Sequence, residues 1–69
     1  MYKQYRKKTP IDVMPWSEDI DMSGVTVNPN DRYAGSPKLG DMIGRNPNNH
    51  ADRWLISERY FAESYVPVE

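Results

Sequence analysis

Arg45, His50 and Arg53 flank one asparagine-rich turn, Asn46-Pro-Asn-Asn49, and are the residues here best suited to hold an anion. An arginine fork matches a carboxylate or a phosphate bidentately, and the turn amides stand beside it. Tyr33 lies in a polar stretch with no place in a core pattern, so its ring offers a stacking surface for a base. A second cationic group, Lys3, Arg6, Lys7 and Lys8, opens the chain and suits phosphate contact. Each feature also has a plainer reading. The arginines suit surface pairs with Asp31, Asp41 or Asp52, and a basic opening suits the solvent face of an edge strand, where charge discourages aggregation. The candidate contact residues are therefore Arg45, His50, Arg53, Tyr33, Lys7 and Lys8.

Catalysis finds less support. A nucleophile needs a base within hydrogen-bond reach and a third group to orient it. His50 is the single histidine, and Ser36, Ser57 and Asp52 are its imaginable partners, but it sits in a turn where exposure is the default. With no cysteine and no carboxylates at ligand spacing, neither a metal nor another cofactor is expected. Asp19, Asp21 and Asp31 lack a twelve-residue calcium-loop pattern. Gly40-Asp41 and Gly44 lack the following helix of a phosphate loop, so Asp41 is expected to accept turn amides instead. The expectation is a protein without enzymatic activity.

The elements that must position these groups are short. Residues 1–69 suffice for a single domain, and a chain of this size buries only about 60% of the surface it exposes unfolded. Net charge is -1, which gives no global bias toward nucleic acid or membrane. No apolar run approaches the ~20 residues of a spanning helix. Residues 2–16 alternate in a β pattern, and Pro10 and Pro15 exclude a central, fully paired strand, so it lies at an edge or is bulged. Val25-Thr-Val27 is a second strand, closed by the turn chemistry of Asn28-Pro-Asn-Asp31. Gly40-Asp41 leads into Met42-Ile43, with a bend or bulge at Gly44. Ala51–Ile56 then returns antiparallel, Ser57 caps a helical turn, and Tyr65–Val68 forms a last edge strand. Trp54, Ile56, Phe61, Tyr65, Ile43 and Val13 are the expected core. The fold class is mainly β (α+β): a small half-open barrel or roll of four to five short antiparallel strands, with one helical turn before the last.

Two blocks carry a family resemblance. Tyr5-Arg-Lys-Lys8, Pro10-Ile-Asp-Val-Met14 and Trp16 form the first; Gly40-Asp41-Met-Ile43, Ala51–Ile56, Phe61 and Tyr65-Val-Pro-Val68 form the second. Together they resemble short phage and prophage proteins that include the PGDYG-type domain, over a little more than half the chain. The chain departs from that pattern at Leu39, where the family has proline, and at Met42, where an aromatic is usual. The resemblance implies a phage accessory protein of the host cytoplasm and brings no mechanism. On this basis the first expectation is a non-enzymatic protein that inhibits or sequesters a host protein, such as a defence component. The alternative is a sponge for a nucleotide signal. A nucleic-acid binder and a virion or structural component rank below both, and a homodimer is the expected assembly.

Overall fold

Six elements follow one another: β1 (Asp12–Pro15), β2 (Val25–Thr26), α1 (Pro29–Tyr33), β3 (Met42–Asn46), β4 (Asn49–Ile56) and α2 (Glu58–Ser64). The computed structural model describes residues 1–5 and 10–67. The strands form one open sheet in the order β1-β3-β4-β2. Both pairings of β3 are antiparallel, while β2 runs parallel to β4. The fold is thus a small α+β arrangement of a four-stranded mixed sheet and two short helices. The half-open barrel is corrected to an open sheet, and the wholly antiparallel ladder to a mixed one. β2 is only two residues long, and Tyr65–Pro67 leaves α2 without joining a strand, so neither edge is carried round to meet the other.

The prolines place β1 at the edge, as the sequence predicts. The Trp16 amide donates to the Asp41 carbonyl at 2.9 Å, which continues the β1–β3 register by one pair. Hydrogen-bonded pairs alternate in an antiparallel ladder, so Asp12 and Met14 bond inward while Val13 and Pro15 turn their backbone groups outward. Pro15 has no N–H, which leaves the outer edge of β1 with a single donor at Val13. Such an edge is a poor template for another strand.

The stretch read as a turn at Asn28–Asp31 instead opens α1. The Asn28 side chain accepts from the Asn30 amide at 2.8 Å, and Pro29 takes the first helical position, where no N–H is needed. Asparagine followed by proline signals a turn and a capped helix equally well, and here the cap prevails. α2 follows its expectation. The Ser57 hydroxyl accepts from the Tyr60 amide at 3.4 Å, Glu58 sits in the first turn, and the backbone goes extended at Tyr65 two residues before Pro67. Phe61 and Tyr65 stack at 5.6 Å.

Asp41 ties the loop before β3 to the start of α2. It is 0% exposed and accepts four hydrogen bonds: from the Ser36 hydroxyl at 2.7 Å, the Lys38 amide at 3.0 Å, the Lys38 ammonium at 3.1 Å and the Glu58 amide at 3.0 Å. Burial pushes its carboxyl up, but the hydrogen bonds from Ser36, Glu58 and Lys38 together outweigh that and hold it below the usual carboxylate range. Gly40 precedes it at φ +101°, and a Cβ there would run into the Glu58 carboxylate, so both the turn and the helix start require glycine.

The core is smaller than expected and is split between the two faces of the sheet. Ile43, Leu55 and Ile56 are its buried aliphatics. Of the six predicted members, Ile43 and Ile56 are buried, whereas Val13, Trp54, Phe61 and Tyr65 are half-buried; Leu55 takes the missing place. Gly44 does not bulge its strand. It pairs regularly with Val13 and Trp54, and a Cβ would lie 2.9 Å from the Trp54 indole nitrogen and 3.0 Å from Ile56 Cδ1. Glycine is required there because a ring lies across the strand.

Candidate binding cleft

The irregularity lies one residue further on, and it builds the site. The Asn46–Asn49 pair closes the β3–β4 hairpin around Pro47 and Asn48, and a regular ladder would next set Arg45 opposite His50. The next pair is instead Arg45 with Arg53, so β4 carries three extra residues, His50, Ala51 and Asp52, that oppose nothing on β3. The cause is the turn. Pro47 cannot take positive φ, and no non-glycine residue among those described does so, which excludes the two-residue hairpin turns whose twist matches the strands. The bulge absorbs the mismatch and re-aims the side chains that follow it. It holds His50 exposed and out of the ladder, and it brings Arg53 across from Arg45.

Register then orders one face of the sheet into two rows. Asp12, Arg45 and Arg53 stand side by side across β1, β3 and β4, with Val25 next on β2. Two residues along, about 7 Å away at strand spacing, Met14, Ile43 and Leu55 form an apolar row. A cleft of about 280 Å³ opens over this face, lined by both arginines, Asp12, Val13, Met14 and Ile43. Ile20, carried by the loop between β1 and β2, supplies its remaining wall.

The two arginines are held differently. Arg45 Nε donates to Asp12 Oδ2 at 2.8 Å, with both side chains a little under half exposed. An Arg53 terminal nitrogen donates to the Ser23 carbonyl at 2.7 Å, beside Gly24 at φ +76°. The neighbouring Asp21 carboxyl is held below its usual range by the Ser23 amide and hydroxyl, with a smaller pull from Arg53. Like charges directly opposite one another destabilise a sheet. The 45–53 pair therefore carries an unfavourable term, which Asp12 offsets at Arg45 and Asp21 offsets to a smaller degree at Arg53.

The predicted contact residues divide. Arg45 and Arg53 come together, as cross-strand neighbours rather than flanks of a turn. His50 is exposed on the bulge and outside the cleft lining, and Tyr33 lies on α1, 96% exposed, also outside it. Lys7 and Lys8, with Arg6, fall outside the described residues. The plainer pairing of the arginines with Asp31, Asp41 or Asp52 is replaced for Arg45 by Asp12. Sequence reasoning missed Asp12, Met14, Ile20 and the Ser23 carbonyl as parts of the site. The alternation of β1 already set Asp12 and Met14 on one face, but only the β1–β3 register joins them to Arg45. No group of three or more histidine, cysteine, aspartate or glutamate side chains capable of holding a metal occurs among the described residues. No described helix is long and apolar enough to cross a membrane.

No protein-family model, curated protein or solved structure matches this chain.

Proposed function

We propose that this is a non-enzymatic binding protein that acts by occupancy, inhibiting or sequestering a partner protein through the cleft over Arg45 and Arg53. The observation that carries the reading is the pair of opposed arginines beside an apolar row. A sheet tolerates such a pair at a cost, and an anionic group placed between the forks removes it. At about 280 Å³ the cleft falls at the lower edge of small-molecule sites and suits a side chain or two of a partner. A nucleotide fits less well, because no aromatic ring among the described residues lines the cleft to receive a base. Phage origin, a host protein as the partner, a role against host defence and the host cytoplasm as the place of action rest on the end-block resemblance. They form the context of the proposal.

The test compares recovery of bacterial lysate proteins on the wild type and on an Arg45→Ala, Arg53→Ala double variant of equal melting temperature. Surface substitutions of this kind usually change stability by within about 0.5 kcal/mol. A partner held by the wild type and lost from the variant supports the reading. A partner retained equally by both removes the cleft from function.

A further inference from the structure

We infer that Asp12 sets the ligand class of this cleft, making it a receptor for a single carboxylate joined to an aliphatic group, as in an acidic peptide segment, and excluding phosphate. The inference rests on the occupancy reading above and goes beyond it by naming the chemistry recognised. Among the described residues, three charged side chains line the cleft: Arg45, Arg53 and Asp12. Two cations and one anion leave one net positive charge, which matches a carboxylate and leaves a phosphate dianion half neutralised. Asp12 accepts from Arg45 Nε at 2.8 Å, which occupies one of that guanidinium's donors and leaves its terminal nitrogens for a ligand. The apolar lining residues Met14 and Ile43 lie about two strand residues from the charged row. An aliphatic side chain seated there puts a carboxylate from the next residue within reach of both guanidinium groups.

Three acetylated, amidated dipeptides test this against the full-length chain by NMR titration of the arginine Nε and cleft methyl signals: Leu-Glu, Leu-Gln and Leu-phosphoserine. The wild type should bind Leu-Glu, ignore Leu-Gln and prefer the carboxylate to the phosphate. Asp12→Asn should raise phosphopeptide affinity relative to Leu-Glu by roughly tenfold, because a dianion gains about twice what a monoanion gains from the removed charge. Asp12→Glu, which keeps the charge, should keep the wild-type order. The Asp12–Arg45 pair is half exposed and contributes little to folding, and the order measured on the wild type decides the matter even if Asp12→Asn is unstable. Phosphate preference in the wild type, binding of none of the three probes, or an unchanged ratio in a folded Asp12→Asn would overturn the inference. An arginine-dependent partner from lysate would still stand in those cases, so failure here is separable from failure of the occupancy reading.

Discussion

At the scale of single residues, the most consequential group for folding is a carboxylate with no part in the cleft. Asp41 is buried with both oxygens doubly engaged, and one of its bonds reaches seventeen residues along the chain to the Glu58 amide. It does the work of a helix cap from outside the helix, so it holds α2 against the loop before β3. Asparagine keeps the shape but turns an N–H₂ toward existing donors. Asp41→Asn should therefore cost about 2–3 kcal/mol at neutral pH, the scale of a buried hydrogen bond to a charged group left unmade. The native carboxyl titrates below its unfolded value of about 3.9, so its contribution is complete above that pH and is lost as pH falls through the lower native value. Denaturant unfolding of wild type and variant should show a gap that is constant from neutral pH to about pH 5 and closes below about pH 4. A gap that persists unchanged into acid would mean that Asp41 acts through shape alone.

At the scale of elements, what was legible in the sequence was what neighbours decide. Ser57 caps α2, Gly40-Asp41 turns, and the prolines mark β1 as an edge, because each depends on atoms within a few residues. The parallel pairing of β2 and the row Asp12–Arg45–Arg53 were not legible, because both depend on register between distant strands. The bulge is the intermediate case. Its cause, proline in a two-residue hairpin turn, is local, but its size of three residues is not. This gives a test of the register. Deleting residues 50–52 alone should destabilise the hairpin, since the turn then has nothing to absorb its twist. Deleting them while replacing Pro47-Asn48 with Asn-Gly should restore a cooperative melt, because that dipeptide forms the turn a regular hairpin needs. In the repaired protein Arg53 follows Asn49 directly and still faces Arg45. The repaired chain should then keep the ligand binding of the wild type without His50. Failure of the repair to recover folding would show that the bulge is held by contacts of its own and not imposed by the turn.

At the scale of the whole molecule, the chain exposes more surface than its mass accounts for. A folded monomer of 8.1 kDa is expected to expose roughly 4,500 Å², and this one exposes 6127 Å². The radius of gyration is 13.0 Å against roughly 11 Å for a compact chain of the same length. Part of the surplus is the opening segment, where Met1, Tyr2 and Tyr5 stand free of the body, and part is scattered apolar surface at Tyr33, Leu39 and Val66. An ordinary interface takes about 800 Å² from each partner, so the surplus is large enough to supply one. A protein with three buried aliphatic residues among those described also gains more from such an interface than a larger domain does. We expect a two-fold homodimer, the commonest closed assembly. Its melting temperature should rise with protein concentration, since association stabilises by mass action, and its sedimenting mass at high micromolar concentration should be twice 8.1 kDa. Removing residues 1–5 should leave the melt of the dilute monomer unchanged, because in the monomer that segment is exposed throughout. A mass of 8.1 kDa with a concentration-independent melt would count against self-association, and would leave the surplus surface available to the partner proposed for the cleft.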